Sequence, residues 1–267
     1  LIVGFFMNNV LPARLGEFVR AHLGGKATKL SRIKVLATIA AERLADGVAI
    51  SLMFGVLLTF FARAHEVEES KGLYLVAYGF LFVALITALV IYKRNFAYRI
   101  LESLASRMSG RMSQYSLSRV AFFIEGLEPL LHLRSFLIIS ALSTVIWSVE
   151  LSVYYFVSQA FHQDLSRGAL GLFLAAVNFS SLIPAAPGGI GTIEAVASLA
   201  LVHIGINSEI ALAMIVTQHV IQWLVVGMPG AFYFVVKMGG HIPEPEPVDN
   251  DGEQDGENDF ELKEAAR

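Results

Sequence analysis

Prolines, glycines and charged residues interrupt this apolar sequence at a few places, and those interruptions are where chemistry is feasible. Residues 178–194 read NFSSLIPAAPGGIGTIE. Proline removes a backbone donor and glycine relaxes helical geometry, so no straight helix is expected here. The apolar stretches on either side are each about 15 residues, short of the roughly 20 that a membrane span needs. A helix broken at membrane depth is tolerated where its freed backbone groups are buried or wet, which predicts a site; an ordinary turn between tilted spans is the alternative.

A related stretch lies near the start of the chain. Residues 8–26 read NNVLPARLGEFVRAHLGGK, in which Pro12 interrupts a segment that carries several charges. Glu17 and Arg20 are three residues apart, so on a helix they share a face and can pair. The order of Asn, Pro-Ala, Gly and Glu echoes residues 178–194 when one gap is allowed and Pro12 is set against Pro184.

Further charges lie within a long helix predicted over 33–62. Glu42, Arg43 and Asp46 are spaced to crowd one side of that helix. Ionisable residues at this depth are costly and usually face a bundle interior or a cavity. These three residues either line a polar path through the protein or form a structural ion pair that holds helices together, and the sequence favours neither.

Polar residues also lie at mid-depth in two later apolar segments. Glu150 is near the middle of a span predicted over 135–161. It is either a hydrogen-bonded packing residue or part of a polar path. Gln218, His219 and Gln222 give the last span, 209–236, a polar face. With no cysteine in the chain, hydrogen bonding across helices is favoured over metal ligation, and no metal or cofactor is predicted.

Composition indicates a membrane protein. Of 267 residues, 55% are hydrophobic and only 16% are charged, against about 25% charged in soluble domains. The net charge of −3 conceals a segregation, because residues 241–267 carry ten acidic residues against Lys263 and Arg267. We expect residues 1–240 to form a membrane domain, in which 93–134 makes basic, interfacial helices. Residues 241–267 are expected to be a disordered acidic tail.

Loop charges predict the orientation. The basic segments 24–34 and 93–134 are expected inside, and the short loops 63–72, 162–168 and 205–208 outside. Spans at 33–62, 73–92 and 135–161 satisfy this order, with the broken segment 169–204 entering and leaving on the outer face. The chain starts at Leu1 without methionine, so we expect membrane segments to precede it. The fold class is therefore an all-α polytopic membrane protein with two broken, re-entrant segments.

The orientation gives the two broken stretches opposite directions. The first returns to the inner face and the second to the outer face, so a relation between them is one of inversion. Inverted repeats with broken helices near the midplane are typical of transporters. This favours a role in translocation.

Three stretches occur in a characteristic order: NNVLPARLGEFVRAH, TIAAERLADG and SLIPAAPGGIGTIEA, followed by a final span with QHVIQW. This set resembles the flippase-like membrane domain of lysylphosphatidylglycerol synthases over nearly all of residues 1–240. The resemblance implies an inner-membrane protein that moves a lipid, such as an aminoacylated phosphatidylglycerol, between leaflets. Only the acidic tail follows, so we do not expect lysyl-lipid synthesis, and a glycosyl carrier lipid is an alternative substrate.

The predicted substrate-binding residues come from the motif match and from the polar mid-span positions. They are Asn9, Arg14, Glu17, Arg20, Glu42, Arg43, Asp46, Glu150, Pro184, Pro187, Gly188, Gly189, Gly191, Glu194, Gln218, His219 and Gln222. The expected partners are membrane lipids with anionic or aminoacylated headgroups and not nucleic acid, with self-association left open. Two other classes stay open: a membrane scaffold that regulates a lipid or glycolipid pathway, and an intramembrane lipid-modifying enzyme. The enzyme is disfavoured because HExxH, GxSxG and phosphate-cradling motifs are absent from the sequence.

The orientation can be tested by labelling single cysteines, because the natural chain has none. We expect a cysteine placed in the tail to react in intact cells only with a membrane-permeant reagent. The same result is expected for a cysteine within 93–134. Labelling of either position by an impermeant reagent contradicts the predicted orientation.

Overall fold

The computed structural model describes residues 1–63, 71–93, 133–183 and 186–242, and every regular element in these ranges is helical. The predicted all-α class is thereby confirmed. Pro184, the interfacial helices expected between Arg94 and His132, and the acidic tail from Pro243 onward lie outside the described residues. The helices are α1 (Ile2–Val10), α2 (Gly16–Thr28), α3 (Arg32–Phe61), α4 (Lys71–Tyr92), α5 (Leu133–Ala160), α6 (Arg167–Ser180), α7 (Thr192–His203), α8 (Ser208–Gln222) and α9 (Met228–Met238).

Two short 3₁₀ turns break this series at the predicted places. Turn 1 is Pro12–Arg14, between α1 and α2, and turn 2 is Pro187–Gly189, between α6 and α7. We call α1, turn 1 and α2 hairpin 1, and α6, turn 2 and α7 hairpin 2. The helices of hairpin 2 have 14 and 12 residues, too short for either to cross a membrane that needs roughly 20.

Three stretches in the described part of the chain are long and apolar enough to cross a membrane. They are Arg32–Phe61, Ala141–Ala160 and Ser208–Met238. Helix α4 has a shorter apolar part, Gly72–Thr87. Many large apolar side chains on these helices are exposed, for example Leu75 and Phe156, as expected for surfaces that face lipid.

Helix α6 forms the centre of the bundle. All of its residues from Gly168 to Ser180 are buried except Asn178, so it is apolar around its whole circumference. It packs against α3, α4, α5 and α7. Phe173 meets Tyr154 of α5 edge to face, and Phe179 stacks on Phe80 of α4.

Helix α1 is held between two helices at glycine contacts. A Cβ atom at Gly16 of α2 would lie 2.4 Å from the Asn8 nitrogen and from the Gly4 carbonyl of α1. On the other side, a Cβ atom at Gly230 of α9 would lie 2.4 Å from the Ile2 carbonyl. Small residues allow such close backbone approach between membrane helices.

The last span departs from the expected regular helix. Residues Trp223–Gly227 form a π-helical segment between α8 and α9. Pro229 follows directly, and it cannot donate to the carbonyl four residues earlier. The Met228-Pro229-Gly230 triplet was the available sequence signal for this irregularity.

Substitution of Gly16 tests the tight crossing of hairpin 1. We expect Gly16→Ala to lower the melting temperature in detergent, because overpacking against backbone atoms costs about 1–3 kcal/mol. Gly55→Ala is the matched control, since nothing lies within 4 Å of a Cβ atom there and alanine favours helix. Equal melting temperatures for the two variants would contradict the close approach.

Candidate functional site

The two turns lie against each other, so the broken ends of both hairpins meet. Turn 2 also contacts α1. The two stretches that the sequence marks as broken are therefore neighbours in the fold. A role of these residues in binding substrate stays a prediction.

The turns have the same local conformation. Each starts with a proline that is followed by two residues of positive φ: Ala13 and Arg14 at 50° and 58°, Gly188 and Gly189 at 64° and 76°. A glycine comes four residues after each proline, Gly16 and Gly191. The backbone angles therefore also match Pro12 with Pro187 without a gap, whereas the gapped pairing with Pro184 lies outside the described residues. The left-handed backbone costs an L-residue roughly 1–2 kcal/mol, so neighbouring contacts must hold Ala13 and Arg14 in place.

Arg14 connects the hairpins. Its Nη2 donates to Ser181 Oγ at 2.8 Å, at the end of α6, and Ser181 Oγ donates to the Asn178 carbonyl at 2.6 Å. The carboxylate of Glu17 is 3.9 Å from Arg14 Nη1. Sequence reasoning missed Ser181, although it sits within the broken stretch.

Helices α2 and α3 are joined by ion pairs between helices. Both terminal nitrogens of the Arg20 guanidinium donate to the Glu42 carboxylate, and the Nη1–Oε1 distance is 3.0 Å. Arg43 Nε lies 3.1 Å from Glu17 Oε1, and Arg43 Nη1 lies 3.5 Å from Asp46 Oδ2. The pairing of Glu17 with Arg20 allowed by their spacing is replaced by these longer-range pairs, because α3 brings a better-placed partner to each.

Phe5 of α1 supports the same cluster. The guanidinium carbons of Arg20 and Arg43 each lie 5.7 Å from the centre of its ring. Cations over an aromatic face gain electrostatic stabilisation, which grows with desolvation. Three arginines and three carboxylates therefore form one cluster between hairpin 1 and α3, and their formal charges cancel.

Turn 2 is braced by α8. His219 Nδ1 lies 2.5 Å from Glu194 Oε1, and its Nε2 lies 3.0 Å from the Gly188 carbonyl. Both ring nitrogens face acceptors, so only the imidazolium form can donate to both. The other Glu194 oxygen accepts from the Gly191 N–H at 2.6 Å, which caps α7. Trp223 packs on Gly188, where a Cβ atom would lie 2.4 Å from the indole.

A separate cavity of about 150 Å³ lies between α5, α6 and α8. Its polar lining residues are Trp147, Glu150, Asn178, Gln218 and Gln222. The buried hydroxyl of Tyr154 accepts from Asn178 Nδ2 at 3.3 Å and from Gln218 Nε2 at 3.1 Å. The expected hydrogen bonding across helices by Gln218 and His219 is confirmed, whereas Tyr154 was not anticipated.

The structure thus divides the predicted residues into three groups. Arg14, Glu17, Arg20, Glu42, Arg43 and Asp46 form the hairpin 1 cluster. Pro187, Gly188, Gly189, Gly191, Glu194 and His219 form or brace turn 2. Glu150, Gln218 and Gln222 line the cavity, and the Asn9 side chain lies against Gly227 of the π segment. In the described part of the chain no three His, Asp or Glu side chains are grouped to hold a metal.

These features define an all-helical membrane protein in which two broken hairpins meet. Residues 1–230 match the family described as the lysylphosphatidylglycerol synthase TM region, and the chain belongs to that family. The resemblance inferred from the motifs is confirmed.

Two relatives, both described as membrane proteins, match most of this chain. A UPF0104 membrane protein of Methanothermobacter thermautotrophicus is 24% identical over 85% of this chain and 71% of its own length. A UPF0104 membrane protein of Methanocaldococcus jannaschii is 24% identical over 90% of this chain and 97% of its own length. No solved structure matches the chain.

A double-mutant cycle tests the brace on turn 2. We expect Glu194→Gln and His219→Gln each to reduce the free energy of unfolding, measured by SDS titration in mixed micelles. Because the two side chains contact directly, the double mutant should lose about 0.5–3 kcal/mol less than the sum of the single losses. Glu209→Gln combined with His219→Gln is the control, and these effects should add. Additivity for Glu194 and His219 would contradict the brace.

Proposed function

We propose that this protein translocates a phospholipid or a lipid-linked headgroup between membrane leaflets, with the phosphate recognised where turns 1 and 2 meet. The observation that carries the proposal is the contact between these turns, with Arg14 reaching from one hairpin to the other. Broken helices inside a bundle are how many transporters place a binding site between repeats.

Arg14 is the cation most available to a phosphate. Arg20 and Arg43 each have a carboxylate oxygen within 3.1 Å, whereas Arg14 bonds to a neutral hydroxyl and lies 3.9 Å from a shared carboxylate. The Arg14 side chain keeps 33% of its surface exposed, against 31% for Arg43 and 17% for Arg20, so the absence of a close carboxylate is what distinguishes it from Arg43. A bidentate arginine–phosphate contact is among the strongest hydrogen-bonded pairs in proteins.

The start of α2 adds backbone donors beside Arg14. Helix α2 begins without a side-chain cap, so the N–H groups of Gly16 and Glu17 have no capping side chain, whereas the Phe18 N–H bonds to the Leu15 carbonyl at 3.1 Å. In hairpin 2 the carboxylate of Glu194 fills the corresponding position at the start of α7. The two helix starts therefore differ in one respect that suits an anionic ligand: a carboxylate caps the start of α7, and no side chain caps the start of α2.

The order of elements supports a repeated architecture. Short helix, proline turn, short helix and a span of about 30 residues occur twice, ending in Arg32–Phe61 and in Ser208–Met238. We propose that the copies are inverted, with the turns near the middle of the bilayer. The ion-paired carboxylates of the hairpin 1 cluster would balance the arginines or hold a cationic headgroup, and the acidic tail would be cytoplasmic.

Arg14→Gln tests the proposed phosphate contact. In proteoliposomes that contain a fluorescent phosphatidylglycerol, the fraction bleached by external dithionite reports translocation. We expect Arg14→Gln to slow translocation at least about tenfold, since loss of a charged hydrogen bond is worth about 1.5–3 kcal/mol. The melting temperature should fall only modestly, because Arg14 loses one neutral hydroxyl and a partly exposed contact of 3.9 Å with the Glu17 carboxylate.

Two comparisons control this experiment. Lys237→Gln removes one exposed positive charge at the end of α9 and should translocate like the natural protein. Ser181→Ala removes the hydrogen-bond partner of Arg14 but keeps its charge, and should have an intermediate effect. Unchanged translocation in Arg14→Gln would refute the phosphate contact. Absence of translocation by the natural protein with phosphatidylglycerol and with a polyprenyl phosphate would favour the scaffold.

A further inference from the structure

The cavity between α5, α6 and α8 contains the carboxyl group of Glu150, which differs from the other carboxyl groups discussed above in having no partner within the described part of the chain. Glu17, Glu42, Asp46 and Glu194 all lie within 4 Å of an arginine or histidine nitrogen. Glu150 makes no ion pair or hydrogen bond with any described residue, although it lies mid-way along a span. An ionised, unpaired carboxylate costs several kcal/mol at such a depth.

The same cavity holds an acceptor without a donor. Gln218 is only 1% exposed, and its Oε1 has no hydrogen-bond partner among the described residues. Leaving such a group unsatisfied costs about 1–3 kcal/mol. A protonated Glu150 carries an O–H donor that a carboxylate lacks, and both side chains line the same space. The cavity has room for a few water molecules that could carry the proton.

The surroundings favour a proton over a metal cation. Hard cations take six or more oxygen ligands, whereas this lining is largely apolar and includes the buried Trp147 N–H, which has no acceptor of normal hydrogen-bond geometry among the described residues. The nearest titratable groups are Tyr154 on α5 itself and Asp46 of α3, which lies beside Trp147 and pairs with Arg43. Helices α6 and α8 present amides to the cavity: Asn178, Gln218 and Gln222.

Hydrogen bonds connect this cavity to both turns. Asn178 lines the cavity, and its carbonyl accepts from Ser181, which in turn accepts from Arg14 of turn 1. Gln218 lines the cavity from α8, and the next residue, His219, bonds to the Gly188 carbonyl of turn 2. Two of the residues that line the cavity with Glu150 are therefore bonded to, or next in the chain to, residues that hold the turns.

We propose that this cavity is a proton-binding site that couples lipid translocation to a proton gradient. Glu150 takes up a proton from water on one side of the membrane and releases it to water on the other, and Gln218 accepts its hydrogen bond while it is protonated. The coupling rests on the proposed function, whereas proton binding by Glu150 does not.

Chemical labelling tests proton binding without a lipid substrate. Dicyclohexylcarbodiimide reacts with protonated, lipid-accessible carboxyl groups, and mass spectrometry locates the adduct. We expect Glu150 to be labelled, with more than a tenfold loss of labelling at alkaline pH, because each pH unit beyond the midpoint changes the protonated fraction about tenfold. Glu209→Gln, a change at an exposed carboxylate in α8, should leave the labelling of Glu150 unchanged. No adduct at Glu150, or one independent of pH, overturns the proposal.

An imposed pH difference tests the coupling. In proteoliposomes with fluorescent phosphatidylglycerol, one proton per lipid would shift the leaflet distribution by up to about tenfold per pH unit. We expect this shift for the natural protein and for Glu209→Gln, and an even distribution for Glu150→Gln. If Glu150→Gln does not fold, Glu150→Asp keeps a titratable group and should keep the shift.

The outcomes of this experiment separate the two proposals. A shift retained by Glu150→Gln, or one driven by sodium at uniform pH, overturns the coupling role of Glu150. Translocation by the natural protein that does not respond to pH refutes the coupling but not the lipid function. Failure to move any lipid counts against the lipid function, and the labelling experiment then still decides whether Glu150 binds a proton.

Discussion

Backbone groups that are freed where a helix breaks must find partners inside the protein, and this structure meets that requirement twice at one place. Turn 2 receives a cap from Glu194 and a donor from His219 to the Gly188 carbonyl. Turn 1 packs against turn 2 and is tied to the end of α6 through Arg14 and Ser181. The two breaks are thus held by contacts between the hairpins and from α8, and these contacts fix how the hairpins are placed against each other.

Close packing and balanced charge support the hairpins that meet at this junction. Glycines at 16 and 230 let α1 lie against backbone on two sides, and the ion pairs between α2 and α3 neutralise the charges that hairpin 1 brings into the bundle. Arg14 lies 3.9 Å from the Glu17 carboxylate and bonds to a neutral hydroxyl, and the start of α2 has no side-chain cap. Helix α8 serves two purposes at once, since adjacent residues 218 and 219 reach the cavity and turn 2.

Much of the fold could be read from local chemistry. Long apolar runs determine the spans because lipid offers no partner for backbone groups, so the helices at 32–61 and 208–238 follow from hydropathy alone. Proline and glycine positions likewise determined both breaks, since their backbone restrictions act within a few residues. The spacing of Arg43 and Asp46 predicted a shared side of the helix, and the two side chains lie 3.5 Å apart. The motif order was specific enough to identify the family over residues 1–230.

Only the tertiary structure decided which partners the polar residues take. The three-residue spacing allowed Glu17 to pair with Arg20, yet α3 supplies Arg43 and Glu42 instead, because helix packing brings together groups more than 20 residues apart. Ser181 and Tyr154 look unremarkable in the sequence and acquire their roles through contacts from Arg14 and Gln218. The alignment of Pro12 with Pro187 likewise became visible only from backbone dihedral angles. Local sequence determines where a helix breaks, whereas the packing of distant helices determines what meets at the break.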